Sequence, residues 1–376
     1  QANPDASGAR ALDGADVEAT PRPFRTLGQQ LKAVLVAQRT QGHVVDPGLK
    51  AIMDFEAKTT PTGMSEGIGS DGGFLLQDTF ASGLLQRTID TGILAAKATK
   101  MEVGPNSNAM VLRMVDESSR ATGSRQGGIQ MYWGTEAGSP TASTTKFKKI
   151  RLELAKLYGL VYLTDEQIED TVMLASIVNT MFPREANFMI DDGMVRGGGG
   201  GQPLGVLNQS SLLVSVAKES AQNAATLVSE NVEKMFSRML PESLGKCEWN
   251  INMDVWPQIF QLAHVIGVGG VPMYMAPGGI QGSPFGSLLG RPIIPIEQAA
   301  TLGTVGDIIL ADWSQYLLVT KGGIKSASSI HVKFVEGETA LRFTLRINGM
   351  PMLSDSITPF KGSDTLSPFI VVATRA

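Results

Sequence analysis

Apolar and polar positions along this chain keep two different rhythms. Near the start, Phe24, Leu27, Leu31, Val34 and Leu35 recur at spacings of three and four, which is one face of a short amphipathic helix. Near the end, Leu341, Phe343, Leu345 and Ile347 alternate with Arg342, Thr344 and Arg346, the period of a strand with one buried face. The same alternation runs through Ile150, Leu152 and Leu154 against Arg151 and Glu153. Strands are therefore expected at Met110–Val115 and Ile150–Leu157. Between them lies a polar excursion carrying Gly123, Gly127, Gly128, Gly134 and Gly138. Two strands with a long Gly-rich tip form an extended hairpin, and a loop of that length without its own core usually serves a function.

A helix is expected after Thr164-Asp165-Glu166-Gln167, which has the form of a capping box. Ile168, Val172, Ala175, Ile177, Val178 and Phe182 form its apolar side. Pro183 should kink or divide it, and the pattern resumes through Ala186, Met189 and Ile190 to end at Gly197. Further helices are expected at 227–240 and Met253–Ala263, and strands at Glu248–Asn252, around Ile293-Ile294, over Ile308–Leu310 and at Pro368–Ala373. Helices mixed with antiparallel strands, without regular βαβ alternation, define an α+β chain. Residues 1–22 read as a flexible arm and Thr59–Gly73 as a linker.

Composition narrows the function. A chain of 376 residues with 43% hydrophobic and 18% charged positions is an ordinary folded protein. Its net charge of −4 argues against a dedicated nucleic-acid binder. One cysteine, Cys247, excludes an internal disulfide and reads as a buried, inert thiol. Val255–Gly290 lacks Asp, Glu, Lys and Arg, but Pro257, Pro272, Pro277 and Pro284 break it, so no membrane-spanning helix is expected. No signal peptide is read. A start at Gln1 fits a proteolytically removed leader and equally a trimmed sequence.

Candidate chemistry is sparse. Gly197–Gly201 follows a helix and leads into Gln202-Pro203, so it reads as a helix stop and chain reversal instead of a phosphate cradle. Glu166 with Asp170, and Glu185 with Asp191-Asp192, are spaced as carboxylate pairs; the first pair suits the opening turns of a helix. His43, His264 and His331 lack a second ligand at metal spacing, and no nucleophile elbow is present. No catalysis, cofactor or metal is expected. Lys146, Lys148, Lys149 and Arg151 read as the solvated base of the hairpin.

The segment Leu289–Leu318, LGRPIIPIEQAATLGTVGDIILADWSQYLL, together with Gly197–Leu207, Trp249–Leu262 and the GGFL entry at Gly72, resembles the major capsid proteins of tailed double-stranded DNA bacteriophages, with the Hong Kong 97-type fold. The resemblance covers about Gly72 to Ala376. It implies an N-terminal arm at 1–80 and an extended-loop hairpin at 104–158. It further implies a peripheral domain from 81–103 and 159–220 with a long spine helix, an axial domain at 221–338, and a peripheral long strand with a C-terminal return strand at 339–376. The expected function is a self-assembling icosahedral shell in the virion, built of hexamers and pentamers and subject to procapsid maturation. Its expected partners are a portal protein, a decoration or cement protein, and packaged double-stranded DNA held by non-specific contact, with no membrane. An encapsulin-type compartment or a gene-transfer-agent shell is the alternative. Subunit contacts are expected from Phe24, Leu27, Leu31 and Leu35 on the arm and from Arg120, Arg125, Trp133 and Glu136 on the hairpin. Some family members cross-link a loop lysine to a neighbour's asparagine. Ser118–Thr145 holds no lysine, so non-covalent contacts or cement proteins are expected instead.

Overall fold

The computed structural model describes residues 23–25, 27–40, 45–52, 92–104, 107–133, 141–164, 181–264, 271–272, 274, 286–333 and 338–375. The helices are α1 (Leu27–Arg39), α2 (Phe182–Arg196), α3 (Ser229–Ser237) and α4 (Trp256–Gln261). The strands are β1 (Thr99–Glu102), β2 (Ala109–Val115), β3 (Phe147–Glu153), β4 (Ala155–Thr164), β5 (Val214–Val216) and β6 (Glu248–Ile251). There follow β7 (Ala263–His264), β8 (Val271–Pro272), β9 (Ser287–Leu288), β10 (Arg291–Pro295) and β11 (Ile308–Ala311). The last are β12 (Tyr316–Thr320), β13 (Lys325–Lys333), β14 (Glu338–Pro351) and β15 (Phe369–Val372).

The alternating run at 341–347 becomes the middle of the first sheet. β14 pairs antiparallel with β4 from Glu338 opposite Thr164 to Ile347 opposite Ala155. Its other edge carries β13 and then β12, and β1 adds in parallel to β12. Leu341, Phe343, Leu345 and Ile347 are buried, while Arg342 and Arg346 on the opposite face are exposed. α2 packs on the buried face, with the Phe182 and Phe343 rings 4.5 Å apart. A Cβ at Gly159 would lie 2.7 Å from the Phe182 ring, so only glycine lets the helix come this close. Thr164 is the last residue of β4, and the start of the helix it was expected to cap lies outside the described residues. Asp165 and the first half of the expected spine helix lie outside the described residues. Pro183 sits in the first turn of α2, a position that accommodates proline.

The second sheet has the order β5-β15-β11-β6-β10-β9. Every residue of β6, β11 and β15 is buried, because helices and the first sheet cover it. Val232 and Met235 of α3 and Ile259 of α4 join Trp249, Ile251, Ile308, Leu310 and Ile370 in its core. α4 is shorter than the expected Met253–Ala263. A 3-10 turn precedes it, held by Asn252, whose side chain accepts from the Asp254 N–H at 3.0 Å. Cys247 is buried, and burial pushes its thiol pKa up.

The two sheets share a second apolar core. Phe343, Leu345 and Leu318 of the first sheet meet Ile309, Val371 and Phe369 of the second around Ile190, Met194 and Val195 of α2. Residues 221–338 supply β6, β9, β10 and β11 to the second sheet but β12 and β13 to the first. β15, expected as a peripheral return strand, lies in the second sheet between β5 and β11, with Ile309 opposite Val371. After α2 the chain reverses as the glycine run suggests. Gly205 N–H donates to the Gly197 carbonyl at 2.7 Å, and a Cβ at Gly197 would lie 2.1 Å from the Pro203 carbonyl oxygen.

Candidate functional site

The extended hairpin is present. β2 and β3 pair from Ala109 opposite Glu153 to Val115 opposite Phe147. Its root rests on the wet face of the first sheet, where Leu152, Met110, Leu112 and Leu154 pack with Leu317, Val319 and Met350. Arg346 donates to Asn108 Oδ1 at 3.1 Å, and the Asn348 amide donates to the Glu153 carbonyl. The root of the hairpin is thus anchored on the first sheet.

Beyond β2 the tip folds by tight turns. Arg125 and Ile129 exchange backbone hydrogen bonds of 3.0 and 2.9 Å around Gly127 and Gly128, both with positive φ. A Cβ at Gly127 would lie 2.7 Å from the Lys146 carbonyl oxygen, so the turn needs glycine twice over, for conformation and for space. The near part of the tip docks on its own chain. Arg120 N–H donates to the Thr358 carbonyl at 2.8 Å, and Thr358 N–H to the Ser118 carbonyl at 3.0 Å. Arg120 was expected to face outward; it is buried, with Nε 2.5 Å from Glu117 and NH2 3.2 Å from Glu242. Burial works against its charge, but the two carboxylates outweigh that and raise its pKa.

The far part is different. Met131 is 94% exposed and Trp133 fully exposed, with Ile129 and Tyr132 about half exposed beside them. Polar contacts hold this stretch, among them Gln130 N–H to Ser143 Oγ at 3.2 Å. Arg125 is exposed too. Glu136 lies outside the described residues. The basic cluster at the hairpin base is partly neutralised within the chain, Lys148 lying 3.7 Å from Asp355 and Arg151 2.8 Å from Glu153.

On the arm, α1 forms as its periodicity requires. Val34 and Ala37 are buried with Leu49, and Phe24 is half-buried against them. The side chains of Leu27, Leu31 and Leu35 lie outside the described residues. The sequence reading missed one surface, the outer face of β4, where Tyr158, Leu160 and Tyr162 are 67%, 50% and 42% exposed. It also missed Glu242 and Thr358 as partners of the hairpin; their distance along the chain hides them.

Among the described residues, no three His, Cys, Asp or Glu side chains gather in a metal-binding group, and no helix is long and apolar enough to cross a membrane.

Known proteins agree in fold. The capsid of an empty GTA particle superposes with a TM-score of 0.57 at 12% identity, covering 87% of this chain and 99% of that one. The capsid of a native GTA particle gives 0.56 at 13% identity, covering 90% and 99%. A chain of Microbacterium phage Oxtober96 gives 0.51 at 12%, covering 75% and 90%. At such identities the likeness shows the fold alone. No curated protein sequence matches. The family model described as the phage capsid family matches residues 72–362, most of the length, and so the chain belongs to the phage capsid family.

Proposed function

We propose that copies of this chain, as a major capsid protein, assemble as hexamers and pentamers into the icosahedral shell of a tailed bacteriophage, enclosing its double-stranded DNA. The observation that carries the reading is the far hairpin tip. Trp133 and Met131 stand in water at the far end of the hairpin, beyond its packed root and the docked Arg120. Apolar groups so placed gain by burial against a neighbour, roughly 1.5–3 kcal/mol for each large side chain. Arg125 and, by its place in the sequence, Glu136 would set the register of that contact. The exposed Tyr158, Leu160 and Tyr162 on β4 offer a second contact surface, and α1 with Leu27, Leu31 and Leu35 a third.

The subunit's role is structural, with no catalytic turnover. With no lysine in Ser118–Thr145, the shell holds by non-covalent contacts or by a decoration protein. A portal protein and the packaged DNA, touched non-specifically, complete its partners. Electron microscopy and sedimentation of the concentrated protein test the reading. Closed shells are expected; a stable monomer at high concentration, with the hairpin ordered, overturns it. The GTA capsids superpose over 99% of their length, which favours a GTA-type shell as the second reading. The length of the enclosed DNA separates the two, and a packaged enzyme in its place would indicate an encapsulin-type compartment.

A further inference from the structure

The hydrophobic effect between the two sheets is non-directional, so directional polar ties add to what their packed core fixes. Three such ties converge on one stretch, residues 92–99. The backbone N–H groups of Ile93, Leu94 and Ala95 donate to the Asp191 carboxylate at 3.0, 3.4 and 2.9 Å, which fixes the stretch to α2. Thr99 donates its hydroxyl to the Ser314 carbonyl at 2.8 Å and begins β1, which fixes the stretch to the first sheet. Lys97 then reaches the other way, its Nζ 2.5 Å from Oε2 of Glu248 on β6, in the second sheet.

The two ends of this ion pair differ. The Glu248 side chain is 6% exposed and the Lys97 side chain 38%. Glu248 is further held by Asn250, whose Nδ2 donates to Oε1 at 3.1 Å, while Asn250 Oδ1 accepts from Trp313 Nε1 at 2.7 Å. The carboxylate is therefore rigid and dry, and the lysine is the end that water can replace. A directional bond with one fixed and one releasable end, lying across two packed sheets, has the form of a latch.

We propose that the Lys97–Glu248 ion pair sets the angle between the two sheets, and that its opening lets the same chain adopt more than one shape in a shell. The inference rests on the shell function, because hexamers and pentamers place identical chains in unlike surroundings. A subunit that meets its neighbours through both sheets passes the angle between them on to the curvature of the shell.

The test uses the full chain as free subunits, with spin labels on Arg342→Cys in the first sheet and Asp254→Cys beside the second. With the latch intact, the distance between labels should show a single narrow peak. Lys97→Met should lose that peak, giving a broad or two-component distribution. Because this variant leaves Glu248 buried without a cation, Lys97→Met combined with Glu248→Gln provides the decisive case. It restores neutrality and keeps the Asn250 contact, but not the latch. Broadening in the folded double variant supports the proposal, and a narrow peak unchanged from the parent overturns it. Shells of the double variant should also vary in diameter. Failure of the parent protein to form shells would count against the shell function, and the label distances would still decide on the latch.

Discussion

Arg120 reaches Glu242 at 3.2 Å and thereby ties the start of the hairpin tip to the chain that follows α3. Glu242 is mostly exposed, whereas Glu117, the other partner of Arg120, is almost fully covered. The two carboxylates should therefore respond differently to substitution. Glu242→Gln should cost less than about 1 kcal/mol, as an exposed ion pair does. Arg120→Ala strands a covered Glu117 and should cost roughly 3 kcal/mol. Denaturant unfolding of both variants checks the order; equal effects would mean that Arg120 is not the buried anchor of the tip.

Trp133 should behave in the opposite way. Its side chain is fully exposed in the subunit, so Trp133→Ser should leave the unfolding midpoint unchanged while lowering shell yield. Hydrogen exchange on parent subunits and shells adds the local view: protection around Ile129–Trp133 should rise on assembly. Equal protection in both states would place the tip within its own subunit.

Burial raises the Asp191 carboxyl above the ordinary carboxylate range, although three backbone N–H groups partly offset it. The folded protein then holds this proton more tightly than the unfolded chain. The stability contributed by the group is fully present below the ordinary carboxylate pKa and is lost as pH rises through the raised value. Asp191→Asn should remove that loss, so the stability difference between parent and variant should change across the window. A difference constant with pH would show that Asp191 does not titrate in the folded state. Asp191→Ala, which leaves the N–H groups of Ile93, Leu94 and Ala95 without their acceptor, should cost roughly 3 kcal/mol below the titration window, where the contribution of the parent group is fully present.

On the arm, replacing Leu31 and Leu35 together with Asp should weaken shells while the subunit stays folded. Light scattering of assembly and circular dichroism of the subunit read the two effects separately. Unchanged shell yield would remove α1 from the set of contacts.

How much of this was legible depended on contrast between faces. β14 could be read residue by residue because α2 covers Leu341, Phe343 and Leu345 while Arg342 and Arg346 meet water. Its partner β4 could not. Leu157, Val161 and Leu163 point to the core, but Tyr158, Leu160 and Tyr162 are apolar on the other face, so no alternation of polarity marks the strand. β13 failed for the opposite reason, since Ser326, Ala327, Ser328 and Ser329 are small, and three of the four polar, so no large apolar side chain marks a face there. The hairpin tip was read as a unit because its glycines are visible, yet Arg120 was misplaced. Nothing near it in sequence announces Glu242 or Thr358, and a lone arginine in a polar loop looks like any solvated cation. The family signature at Leu289–Leu318 fared better. It combines buried β11 with the Asp312 side chain, which accepts from the Ser314 N–H at 3.0 Å and turns the chain from the second sheet into the first.

The 14 residues of β14 give one unbroken strand about 45 Å long, hydrogen-bonded on both edges for most of its course. A force along that strand cannot open its ladders one bond after another, as pulling a strand sideways would. It must shear them all together. An outward pressure inside a closed shell becomes tension within its wall, so a subunit laid with β14 in the wall would resist rupture most strongly along this one direction. Its weak direction would lie across the strands, where the bonds peel in sequence.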